Sequence, residues 1–221
     1  MNIGFVLFET LTQLDLTGPL QAMTHVPGAA VHLVGQSDAP VQTDTALTIP
    51  PTTTFDACPQ LDLICVPGGL GVAAALSNVQ LIDFVKSQAE QARYVTSVCT
   101  GAFILGAAGL LDGKKATCHW GYTHLLSSYG AVHTPGRVVR DGNVFTGGGV
   151  TAGLDFAITI VAEIAGEETA KAIQLAIEYD PAPPFECGHP DVASDEVKAR
   201  LAPLYAQRGA EMAAAIEASK V

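Results

Sequence analysis

Tyr94-Val-Thr-Ser-Val-Cys99-Thr-Gly-Ala-Phe-Ile-Leu105 is the stretch on which the fold turns. The β-branched run Tyr94–Val98 reads as a buried strand, and Thr100–Leu111 reads as a helix with almost no charge. The switch falls on Cys99. Ser97 and Gly101 are small residues at the two flanking positions of a nucleophile elbow, with cysteine as the nucleophile. A helix N-terminus presents free N–H groups and the positive end of the dipole, which favour an anion. The expectation is a reactive Cys99 thiolate with a depressed pKa. The alternative is a cysteine buried as ordinary core.

Working outward, Asn2–Phe8, Ala30–Gly35 and Leu61–Val66 read as further apolar strands, and Leu14–Val26 and Val79–Ala92 as helices between them. Such alternation indicates an α/β sandwich of three layers, with a mainly parallel sheet covered by helices on both faces. Beyond it, Arg137–Val139 and Asn143–Thr146 flank Arg140-Asp141-Gly142 as a small hairpin. Helices are expected at about 151–165 and 167–179, and Asp180-Pro-Ala-Pro-Pro-Phe185 breaks regular structure. This divides the chain into a domain over 1–185 and a C-terminal helical extension over 186–221, with Pro203 and Gly209 as expected breaks.

The 221 residues suffice for one domain with a full core. With 48% hydrophobic and 15% charged residues the chain is globular rather than disordered. A net charge of −11 repels phosphate backbones and anionic lipid, so nucleic acid and membrane are poor partners, while small neutral molecules are not disfavoured. Neither a signal peptide nor a membrane span is legible. Five scattered cysteines, an odd number, suggest free thiols in a reducing compartment, hence the cytoplasm.

Asp15 lies in Leu14-Asp-Leu-Thr-Gly-Pro19, just past the first strand, at the sheet edge where sites form. Flanked by leucines, it either carries a proton as general acid/base or caps the helix beginning near Pro19. Pro67-Gly68-Gly69 ends the third strand at the same edge. Its N–H groups, with that of Thr100, suit developing negative charge, although a tight turn alone explains two glycines. Gly148, in Gly147–Gly149, is ambiguous in the same way. His119 and Trp120 are candidate pocket residues: His119 is either a base for Cys99 or structural. No spacing matches a metal site, and neither a phosphate-binding nor a dinucleotide-binding glycine motif is present, so no metal or cofactor is expected.

Together these segments resemble the PfpI-like branch of the class I glutamine amidotransferase-like superfamily. The resemblance covers roughly 1–185 and rests on Leu14–Pro19, Val66–Gly69, Val98–Ala102, Ala107–Trp120 and Thr146–Gly153. It implies a flavodoxin-like fold and a homodimer. Asp15, the Cys99-Thr100-Gly101 elbow, His119-Trp120 and Glu178–Phe185 resemble most the isocyanide-hydrating members. That implies Cys99 as nucleophile forming a thioimidate, Asp15 as general acid/base, and Thr100 as a hydrogen-bonding partner, with a small neutral isocyanide as substrate. The peptidase and deglycase-like members usually carry another residue after the cysteine and Glu near the first strand, so Thr100 and Asp15 count against proteolysis; a glyoxalase- or deglycase-like stress activity stays a further alternative. Cys118 departs from the hydrating pattern, where Thr is common. The same motifs also resemble sensor domains of AraC-type regulators, but the residues after the match are few and not basic.

Overall fold

The strands Leu63–Val66 and Tyr94–Val98 are buried at every position. Burial on both faces is the condition a parallel sheet between two helix layers imposes. The computed structural model describes residues 1–220. Its central sheet has seven strands: β1 (Asn2–Val6), β2 (Ala30–Gly35), β3 (Thr53–Thr54), β4 (Leu63–Val66), β5 (Tyr94–Val98), β6 (Val138–Asp141) and β7 (Val144–Gly147). They lie in the order β6-β7-β5-β4-β1-β2-β3. All neighbours are parallel except the β6–β7 hairpin. The three-layer α/β architecture expected from the sequence is the one observed.

Helices α1 (Gln13–Met23), α5 (Ala152–Ala165) and α6 (Glu167–Ala176) pack in succession. A second group consists of α2 (Val72–Ala75), α3 (Val79–Ala89), α4 (Gly101–Ala107), a 3-10 helix over Trp120–Tyr129, and α7 (Asp195–Ala218). Phe5, Phe103, Phe145 and Phe156 are among the largest fully enclosed side chains. The topology matters for function at one place. Strand β1 pairs with β2 on one side and β4 on the other, so connections leave it in both directions. A crevice opens at the carboxyl ends of the strands where such a reversal occurs.

Three local expectations are corrected. Helix α1 begins at Gln13 and runs through Pro19, so Asp15 sits inside its first turn and is not its cap. The lost backbone bond is offset by packing: a Cβ on Gly153 of α5 would already lie 3.1 Å from Pro19 Cδ. Helix α7 passes through Pro203 and Gly209 without a break. Gly209 is buried together with Met212 and Ile216, so tertiary burial overrides its weak local propensity; Pro203 lies in the exposed first half of the helix, where no packing accounts for it. Helix α4 ends at Ala107 rather than Leu111, where Gly109 turns the chain at φ 76°. The 3-10 helix, closed by Gly130 at φ 73°, carries no clear period and was not legible.

The elbow demands glycine at Gly101. A Cβ there would stand 2.2 Å from the Val66 carbonyl oxygen and 2.7 Å from that of Pro67. Both are backbone atoms of the adjoining strand end and cannot rotate away. Gly101→Ala is expected to cost about 3 kcal/mol of unfolding free energy, as overpacking against a rigid neighbour does. Urea denaturation of the variant checks this; an unchanged midpoint would mean the elbow relaxes freely.

Candidate active site

The segments after β1, β4 and β5 meet at the crevice. Thr12 N–H bonds to the Gly68 carbonyl at 2.8 Å, tying the first two together. Cys99 stands at φ 57°, a left-handed conformation that disfavours any side chain bearing a Cβ. Two carbonyls hold it there: its N–H reaches Gly148 O at 2.8 Å and Gly147 O at 3.1 Å. The strain aims the thiol into the crevice, as an elbow should.

Asp15 reaches the same point from the first turn of α1 and is 0% exposed. Its Oδ2 accepts the Gly68 N–H at 2.9 Å. The Cys99 thiol is near enough to interact with the carboxyl, yet Oδ1 is buried without a full hydrogen bond. Thr100 completes the junction: its Oγ1 accepts the Gly69 N–H at 3.0 Å, and its own N–H points to the Cys99 sulfur. A Cβ on Gly68 would lie 2.6 Å from Thr100 N and 2.8 Å from Asp15 Oδ2, so only glycine lets these three segments close.

Burial pushes the Asp15 carboxyl up from 3.8 to about 7; the Gly68 N–H and Cys99 oppose this and Asp44 adds to it. Burial also pushes the Cys99 thiol up, and the nearby Asp15 charge pushes it further, against the stabilising N–H of Thr100. The depressed thiol pKa expected from the helix N-terminus is therefore corrected. Enclosure and a neighbouring acid outweigh the end of a seven-residue helix. The result is a coupled pair in which, as pH rises, Asp15 gives up its proton at about 7 while Cys99 still holds its own.

The glycine loops act differently from the expectation. Gly68 N–H is taken by Asp15 and Gly69 N–H by Thr100 Oγ1, so neither is free to receive developing charge. Of the three backbone donors expected, Thr100 N–H alone faces the sulfur. Gly148 contributes a carbonyl, and its own N–H bonds to Arg137 O at 2.8 Å. Thr100→Val, which strands the Gly69 amide, is expected to cost about 1–3 kcal/mol in stability, measured by thermal unfolding.

His119 borders the crevice but is engaged. Its Nδ1 accepts from Gly121 N–H at 3.1 Å, and its Nε2 faces the Tyr205 hydroxyl at 3.4 Å. Burial, with help from Arg208, lowers it to about 4. An imidazole that weak is a poor base for a thiol whose pKa is raised, and both its ring nitrogens already face partners. Trp120 and Gly148 line a neighbouring cavity of about 590 Å³ rather than the one at Cys99. The Cys99 cavity, about 500 Å³, is bordered instead by Leu14, Tyr122, Val150, Tyr205 and Arg208. Tyr205 and Arg208 come from α7 and carry no motif, so nothing in the sequence singled them out. Among the described residues no group of three or more His, Cys, Asp or Glu side chains gathers for a metal, and no helix is long and apolar enough to cross a membrane.

The DJ-1/PfpI family profile matches residues 1–163. The chain belongs to the DJ-1/PfpI family. It is 55% identical over 207 residues to the isonitrile hydratase of Pseudomonas putida, covering 92% of this chain and 91% of the relative. It superposes on a ThiJ/PfpI family protein from Pseudomonas syringae with a TM-score of 0.95 at 41% identity, covering 97% and 90% of the two chains. It is also 29% identical over 187 residues to the transcriptional regulator GbdR of Pseudomonas aeruginosa, of which it spans 51%. In this DJ-1/PfpI protein the crevice at the strand ends, with its elbow cysteine and buried acid, lies wholly within the matched region; the α7 wall of the cavity lies outside it.

Proposed function

We propose that this protein is an isocyanide hydratase, adding water to R–N≡C to give an N-substituted formamide. Similarity to the isonitrile hydratase over nearly the whole of both chains supports the substrate class. The observation that carries the chemistry is the buried Asp15 carboxyl, held at about 7 beside Cys99.

The roles follow from that pair. The Asp15 carboxylate accepts the thiol proton as the Cys99 sulfur attacks the terminal isocyanide carbon. The same proton passes to that carbon, giving the thioimidate R–N=CH–S–Cys99. Water, activated by the regenerated carboxylate, adds its oxygen to the thioimidate carbon, and one of its protons passes through Asp15 to the nitrogen. Collapse of the adduct R–NH–CH(OH)–S–Cys99 forms the carbonyl and expels the sulfur; the second water proton passes through Asp15 to the Cys99 thiolate, leaving R–NH–CHO. An acid with a pKa near the working pH serves both directions of transfer. Thr100 N–H steadies the sulfur while it is charged, and Thr100 Oγ1 fixes the Gly69 turn. No step calls for a metal or a cofactor.

The test is formamide production from cyclohexyl isocyanide by the purified protein, followed through the formyl proton by NMR. Steady turnover is expected. Absence of turnover with consumption of methylglyoxal would replace the reading with an aldehyde-handling one. We also infer a homodimer. Val197, Leu201 and Leu204 leave an apolar stripe exposed on α7, beside exposed Val192, and apolar surface of this kind suits a protein contact.

A further inference from the structure

The chain has five arginines. Arg137 pairs with Asp155, Arg140 with Glu163, and Arg200 with Glu196. Arg93 lies over the Tyr94 ring at 5.5 Å. Arg208 alone has neither an acid nor an aromatic face as partner among the described residues, and it has no hydrogen bond there either. It is half-buried on α7 and lines the Cys99 cavity. An unpaired guanidinium on the wall of a pocket is a donor set that an anionic ligand can complete. In a chain of net charge −11 many carboxylates are present to supply a partner, yet none does.

We infer that Arg208 is a recognition residue for a carboxylate on the substrate, so that the isocyanides this site takes best carry an acid group on the side away from the isocyano carbon. The inference rests on the hydratase reading and names the substrate class within it. Among the described residues, Asp44 and Arg208 are the two charged groups on the cavity wall, and Asp44 Oδ1 already accepts the Gln13 N–H at 3.1 Å. Arg208 is the one cation there, so a molecule with a neutral isocyano head and an anionic tail supplies the counter-charge it lacks. The cavity of about 500 Å³ leaves room for a ring or short chain between head and tail. The planar fork of Arg matches a carboxylate by two parallel hydrogen bonds.

The experiment compares 4-isocyanocyclohexane carboxylate, its methyl ester and cyclohexyl isocyanide on wild type, Arg208→Gln and Arg208→Lys. In wild type the carboxylate is expected to have a kcat/KM about 10–100-fold above the ester, expressed mainly in KM. Arg208→Gln should collapse that ratio towards one, and Arg208→Lys should restore part of it. Equal kcat/KM for acid and ester in wild type would overturn the inference. So would an Arg208→Gln variant that loses the same factor on all three substrates, since that marks a residue that only shapes the wall. If wild type hydrates cyclohexyl isocyanide but rejects the carboxylate, the recognition fails and the hydratase reading stands. If it hydrates none of the three, the hydratase reading itself fails, and the inference with it.

Discussion

In Cys99→Ala, formamide production from cyclohexyl isocyanide falls by on the order of 10⁴-fold or more, to the level of the uncatalysed reaction. The sulfur makes the bond to carbon, and nothing else at the crevice can replace it. The other nearby thiol, Cys118, is 2% exposed and its sulfur is turned towards the His119 carbonyl. The variant remains folded. Alanine keeps the φ of 57° and both backbone bonds to Gly147 and Gly148, so its unfolding transition should lie close to that of wild type. Mass spectrometry of the wild type during turnover should trap the thioimidate as an adduct on the peptide containing Cys99. Near-wild-type turnover by a folded Cys99→Ala protein would remove the cysteine from the mechanism.

Asp15→Asn separates catalysis from stability in opposite directions. Asparagine can still accept the Gly68 N–H but cannot take the thiol proton. Turnover is expected to fall by about 10²-fold or more. The pH dependence is the sharper readout. Below about 7 the wild-type pair carries both protons and the base is missing; above it the carboxylate is available. Wild-type kcat/KM should therefore climb with pH up to about 7 and then flatten, and Asp15→Asn should lose that climb.

Stability moves the other way. The Asp15 carboxyl has a folded pKa of about 7 against an ordinary 3.8, so the folded protein holds this proton after the unfolded chain has released it. Its contribution to stability is complete below the unfolded value and is lost as pH rises through the folded one. Asparagine does not titrate. The stability of Asp15→Asn relative to wild type should grow by roughly 2–3 kcal/mol between pH 5 and pH 8, measured by urea denaturation at each pH. A constant difference across that range would show that Asp15 keeps an ordinary pKa.

Much of this architecture was written locally. The β-branched run of β5, the small residues around Cys99 and the loss of charge after it are sufficient to place a strand, an elbow and a helix in order. The apolar runs of β1 and β4 similarly imply burial on both faces and a parallel sheet. Because ligands gather at the carboxyl ends of such strands, the positions of Asp15, Gly68 and Cys99 at one edge were also legible. Resemblance of the same motifs to a known family extended that reading to a nucleophile and its acid.

What the segments do to one another was not legible. Helix α4, read alone, suggests a stabilised thiolate; the assembled crevice encloses the sulfur beside Asp15 and raises its pKa. Gly68 and Gly69 look like free donors in sequence, yet both amides are spent on Asp15 and Thr100. Trp120 lies one residue from His119 but lines a different cavity, while Tyr205 and Arg208 arrive from 86 and 89 positions beyond His119, by the difference of residue numbers, to form the wall. The sequence by itself determined the sheet, the elbow and which groups stand at its edge, because strand period, burial and tight-turn sterics are local. Only the tertiary structure decided protonation, donor availability and the far wall of the cavity, because desolvation and hydrogen-bond partners depend on groups distant in the chain.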